Sequence, residues 1–194
     1  MSIDNSLNRR PHSEEEIRAY TIGDVEPLSS QIEIVAYDPR WPELFAREAA
    51  RIRSILQSRA LRIEHVGSTS VPGLPAKPVI DLLLGIDDSA NELAYVPALE
   101  SAGYVLRIRE PNWYDHRMFK GPDTDINLHV LSAGCPEIDR MLIFRDWLCT
   151  HPEDRELYAR TKLALAQQQW QHVQNYADAK TAVVEEILGR AVAR

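Results

Sequence analysis

"HVGSTSVPGLPAKPVIDLLLGI" occupies residues 65–86. Its first part is a hydroxyl-rich turn opened by Gly67, and its last part is an apolar run interrupted by one acid, Asp81. A run apolar at nearly every position suits a central strand covered on both faces. The preceding "LRIEHVG" reads as a strand that stops at the glycine. Asp81 is the difficulty in this segment. An unpaired buried carboxylate costs several kcal/mol, so it must be paired, metal-bound, protonated or placed at a sheet end.

Strand alternation supplies candidate partners. It puts Val79, Asp81 and Leu83 on one face. Over 125–131 it puts Asp125, Asn127, His129 and Leu131 on one face, with Ile126, Leu128 and Val130 on the other. If the two strands are neighbours, Asp81 meets Asn127 or His129. A carboxylate, an amide and an imidazole beside a phosphate-holding turn would make a Mg²⁺ or nucleotide site. Taken alone, His129 reads better as a satisfied core histidine, and the site gains weight only from the convergence of several polar residues.

The turn has its own chemistry. Gly67 lets a ligand approach the backbone closely. The Ser68 and Thr69 hydroxyls and nearby amides can hold phosphate oxygens, and Lys77 adds a positive charge. No Walker A spacing is present. The bland alternative is a strand-ending turn held by local hydroxyl bonds.

Outward from this centre, 31–37 alternates like a strand. A helix follows, with Asp38 as cap, Pro39 at its first position, and Trp41, Leu44, Phe45, Ile52, Ile55 and Leu56 on one face. Ser89 and Glu92 form a capping-box pattern for a helix that Pro97 should kink and Gly103 end. "YVLRIRE" and "HRMFKG" are short strands either side of "PNWYD". Everything from Pro136 onward reads as helical. Residues 1–30 form a polar, partly flexible arm, leaving 31–194 as one domain. The expected fold class is α/β (α+β): a small mixed sheet with flanking helices and a C-terminal helical part.

On the C-terminal helices, Tyr158 and Lys162 share a face, as do Tyr176 and Lys180. Lys77, Lys162 and Lys180 can line one side of a cleft and hold an anion, joined by Arg117, Arg145 and Lys120. The alternative is ordinary ion pairs and solvated lysines. The net charge of −7 argues against long nucleic acid as a partner and favours a compact anionic ligand in a local basic pocket. Cys135 and Cys149 are too far apart for a CxxC pair, which argues against zinc and disulfide frameworks. No apolar run approaches the ~18 residues of a membrane span. A cytoplasmic protein follows as the expectation.

Five blocks carry a resemblance: "YDPRWPELFAREAARI", "HVGSTSVPGLPAKPVIDLLLGI", "NLHVLSAG", "LIFRDWLCTHPEDRELYARTKLALA" and "YADAKTAVVEEIL". In this order, over about 31–190, they resemble the GrpB family. That family is placed in the nucleotidyltransferase superfamily, and similar domains occur fused to dephospho-CoA kinases. The resemblance implies a Gly-Ser turn after the first strand, two alternating carboxylates on the next, and a third on a later strand. Together these acids would bind two metal ions. Gly67 and Ser68 match the turn and Asp81 the first acid. Leu83 stands where the second acid should be, and Asn127 or His129 where the third should be. The resulting expectation is a bacterial nucleotide- or phosphate-binding protein, with metal-dependent nucleotidyl or phosphoryl transfer as its reaction. Asp81 and His129 would be both its catalytic and its metal-binding residues, with Mg²⁺ as cofactor and a nucleotide such as ATP as substrate. The alternative is a non-catalytic nucleotide-sensing or partner-binding module with a degraded metal site. The arm adds the expectation of a homodimer.

Overall fold

The computed structural model describes residues 11–25, 27–28 and 31–193. Its centre is a five-stranded sheet with β1 (Arg62–Val66), β2 (Ile80–Ile86), β3 (Val105–Glu110), β4 (His116–Lys120) and β5 (Ile126–Ser132), in the order β1-β2-β5-β4-β3. β2 and β5 run parallel in register Asp81↔Asn127 and Leu83↔His129, and the other pairs are antiparallel. The mixed sheet expected from the sequence is therefore present, with β2 and β5 as neighbours.

Alternation along β2 divides two cores. Ile80, Leu82 and Leu84 join Leu128, Val130 and Phe119 on one face, beneath α2 (Trp41–Leu56) and α3 (Val96–Ser101). On the other face Val66, Leu83 and Leu131 pack against Cys135, Ile138 and Leu142 of α4 (Pro136–Thr150) and the turn before it. α5 (Pro152–Ala166), α6 (Val173–Ala179) and α7 (Thr181–Val192) complete the C-terminal helices. Tyr158 and Ile187 pack there on Val71 and Leu74 of the β1–β2 connection.

Several local expectations shift. Residues 31–37 make no strand, only an extended segment with one bridge, Val35 to Ala76. Their alternation instead packs Ile32 and Ile34 against Ala166 and Tyr176. α2 starts at Trp41 with Pro42 in its first turn, and Asp38 accepts the Arg40 amide at 2.9 Å one step earlier. The Ser89–Glu92 capping box does not form. Ser89 is buried against Ser132 (2.9 Å), and Glu92 turns to Arg109 and Arg117. Pro97 falls in the first turn of α3, where its missing N–H costs nothing, so it starts the helix and does not bend it.

Of the arm, residues 1–10, Glu26, Ser29 and Ser30 lie outside the described residues. The described part carries α1 (Glu14–Tyr20), capped by Ser13, with Ile17 buried. Thr21 bridges Ile108, and the Ile22 amide donates to the Arg107 carbonyl, so the arm covers the open edge of β3. His12 binds Asp178 of α6 through its amide (2.8 Å) and ring. No helix among the described residues is long and apolar enough to cross a membrane.

Candidate functional site

Gly67 determines how the turn meets the acid. Its backbone has φ +68°, ψ −173°, a region essentially reserved for glycine. A Cβ built there would lie 2.2 Å from Asp81 Oδ2 and 2.9 Å from Asp81 Cγ. The turn therefore rests directly on the Asp81 carboxylate, and only a residue without a side chain permits that.

Asp81 sits on the β2 face shared with Asn127 and His129, near the start of β2. Asn127 Nδ2 donates to Asp81 Oδ1 at 2.8 Å, and His129 Nε2 lies 3.7 Å from the same oxygen. Burial works to raise the Asp81 carboxyl. A protonated His129, the Asn127 amide and the Lys180 charge outweigh it and hold the group below the usual carboxylate range.

The helical wall brings the cations. Lys162 on α5 is 2% exposed, donates to the Pro75 carbonyl at 2.5 Å and lies over the Tyr158 ring. Burial, with repulsion from Lys180, pushes its amine down to about 7. Lys180, at the junction of α6 and α7, lies 4.5 Å over the Tyr176 ring. Burial pushes its amine down to about 8, with Asp81 opposing and Lys77 adding to the shift. Tyr158 on α5 is buried beside the turn, and burial raises its hydroxyl while Ser68 works against the shift. Gly67, Ser68, Lys77, Asp81, Asn127, His129, Lys162 and Lys180 thus come together.

Four expected residues do not join them. Thr69 is 1% exposed, and its hydroxyl donates to the Val79 carbonyl (3.2 Å) and contacts His65 Nε2 (3.0 Å), so it holds the turn together. Arg117 projects from the opposite face of β4, where its Nε donates to Glu92 at 2.6 Å. Arg145 clamps α4 to β1 through Glu64 and the His65 carbonyl, both at 3.0 Å. Lys120 pairs with Asp125 at 2.8 Å, which takes both away from Asp81.

Two residues without a role in the sequence reading adjoin the site. His116 Nε2 lies 3.0 Å from His129 Nδ1, and His116 Nδ1 lies 2.6 Å from Glu110 Oε2. Alternation along β4 was the available signal, since it puts His116 on the face of Met118, the register partner of His129. A crevice away from Asp81 is lined by Trp147, His151, Asp154 and Arg190. Its central acid Asp154 already accepts from Trp147 and Arg190.

An acid seated against a Gly-Ser turn at the end of a mixed sheet, with lysines nearby, characterises an α/β protein with a polar cluster at the sheet's end. The chain belongs to the GrpB family: the family described as "GrpB protein" matches residues 31–190. A UPF0157 protein of Halalkalibacterium halodurans is 60% identical over 96% of both chains, and one of Streptomyces coelicolor is 41% identical over 85% of this chain and 87% of its own. The crystal structure of conserved protein GrpB from Enterococcus faecalis shares the fold, with TM-score 0.73 and 32% identity over 83% of this chain and 98% of that one. A dephospho-CoA kinase of Mycolicibacterium paratuberculosis is 29% identical over 77% of this chain, which spans 43% of the kinase.

Proposed function

We propose that the Asp81 site binds a nucleotide or another compact phosphate compound, with metal-dependent nucleotidyl or phosphoryl transfer as its reaction. The observation that supports this reading is the contact of the Gly67–Ser68 turn with Asp81 beneath Lys77, Lys162 and Lys180. The turn offers a hydroxyl and backbone amides to phosphate oxygens, and the lysines offset phosphate charge. The kinship with part of a protein named dephospho-CoA kinase favours a phosphate-handling setting.

The donor set decides which metal arrangement fits. A two-ion site does not. Leu83, at the position of a second acid, is 0% exposed in the apolar cluster under α4. No group of three or more His, Cys, Asp or Glu side chains suited to an ion occurs among the described residues. A Leu83→Asp change would put an unpaired charge into that core at a cost of several kcal/mol. One divalent cation fits better, held by Asp81 and His129 with ligand oxygens and water completing its shell. It would supply the positive charge that lets a carboxylate and a phosphate share the site. The protein's own part is to hold the phosphate against the turn and neutralise it from the helical wall, with the His129 Nε2 lone pair given to the cation.

A second reading, a nucleotide-sensing module without transfer chemistry, is favoured by Leu83. Calorimetric titration of ATP with and without Mg²⁺, plus a pyrophosphate-release assay, separates the two. The transferase reading expects Mg²⁺-dependent binding, weakened at least about tenfold by Asp81→Ala, the loss of one charged contact, and release of pyrophosphate with an acceptor. Binding indifferent to Mg²⁺ but weakened by Lys180→Ala, without release, supports the module. Wild-type protein that binds no nucleotide under any condition rejects both.

A further inference from the structure

Glu110, His116, His129 and Asp81 form one string across β3, β4, β5 and β2. Its hydrogens can be assigned from its acceptors. The Glu110 carboxylate, 2.6 Å from His116 Nδ1, can only accept, so His116 carries its proton on Nδ1. In a neutral ring His116 Nε2 is then an acceptor, and the hydrogen in its 3.0 Å contact belongs to His129 Nδ1. The two imidazoles stack with centroids 5.2 Å apart and planes 19° from parallel, which holds the contact in line. A neutral His129 pinned in this way has a bare Nε2. That lone pair faces Asp81 Oδ1 across 3.7 Å, too far for a hydrogen bond.

Two acceptors facing each other repel unless a third group comes between them. Exposure shows which end of the string is open. Asp81 and His129 keep 26% and 23% of their side chains exposed, against 5% for His116 and 14% for Glu110. The buried pair therefore supports, and the open pair receives.

We propose that Glu110 and His116 are positioning residues that fix His129 as its Nδ1–H tautomer, so that His129 Nε2 and Asp81 Oδ1 together present an acceptor pair for a divalent cation. The cation rests on the function proposed above, whereas the tautomer does not. Without His116 the Asp81 carboxylate governs the ring, and the proton moves to Nε2 to face it. Fixing a ligand histidine through the hydrogen bond of its other nitrogen is a general means of tuning such sites.

The test is long-range ¹H–¹⁵N NMR of histidine-labelled full-length protein, with the His129 signals assigned by their loss in His129→Gln. Wild type should show the Nδ1–H tautomer at neutral pH. His116→Phe, which keeps a ring in the stack, should shift the ratio towards Nε2–H by about five- to tenfold, the worth of one hydrogen bond. Glu110→Ala should shift it in the same direction, and Glu110→Gln, which keeps an acceptor oxygen, should restore it. Mn²⁺ added to wild type should broaden His129 before the other histidines. Nε2–H in wild type, or a ratio unmoved by His116→Phe and Glu110→Ala, overturns the proposal. The expected tautomers without Mn²⁺ broadening support the positioning role and count against the metal in the function proposed above.

Discussion

Gly67→Ala is the sharpest test of the turn-on-acid contact. Two separate penalties follow from the structure. The backbone at φ +68°, ψ −173° is one that an L-residue occupies at a cost of about 1–3 kcal/mol. The new methyl would also fall 2.2 Å from Asp81 Oδ2 and 2.9 Å from Cγ and Cβ, and such overpacking costs about 1–3 kcal/mol more. The variant should therefore lose about 2–6 kcal/mol, a large part of the 5–15 kcal/mol typical of whole domains. Urea unfolding followed by tryptophan fluorescence measures this, provided the m-value is unchanged. A double-mutant cycle with Asp81→Ala removes the Oδ2 and Cγ overlaps and leaves the backbone penalty with the Cβ contact. A coupling of about 1 kcal/mol or more is expected, well beyond the ~0.3–0.5 kcal/mol of independent sites. A loss below about 1 kcal/mol in Gly67→Ala, or additivity in the cycle, would refute the contact as the reason for glycine.

Two further predictions concern pH. Lys162 titrates at about 7 in the fold against 10.5 in its absence, so between these values the unfolded chain binds a proton that the native one does not. Stability should rise with pH from about 7 towards 10, and Lys162→Met should flatten that limb by up to about 1.4 kcal/mol per pH unit in urea midpoints taken across the range; identical slopes would contradict the buried-amine assignment. His65, stacked on Phe45 and desolvated, titrates at about 4 against 6.5, so stability should fall as pH drops from about 6.5 towards 4. His65→Gln should lose about 1–3 kcal/mol less than wild type between pH 7 and 4, read from denaturant unfolding at both values.

The site's floor could be read from the sequence because strand alternation has period two and depends on no distant contact. Asp81, Asn127 and His129 share a face because each occupies the corresponding step of its strand, and the parallel register then makes Asp81 and Asn127 partners. The same rule was available for Arg117, which as the register partner of Val130 must face the other core. Thr69 was obscured by its turn, since nothing local says whether a hydroxyl points to a ligand or to the Val79 carbonyl. The 31–37 segment shows the limit of alternation. Its apolar residues are buried against α5 and α6, which satisfies the pattern without a ladder. Glu92 left its capping role for two arginines on β3 and β4, partners that only the folded sheet brings near.

The parallel pairing of β2 with β5 has a consequence for assembly. Asp81 and Asn127 are 46 residues apart, and the chain between them carries α3 and the β3–β4 hairpin. Closing so long a loop costs entropy that local contacts cannot recover, so no short fragment contains the acid and its partners in working order. Occupancy of the site would then report on completion of the whole sheet, and a molecule bound there would favour the finished protein over every partly built one.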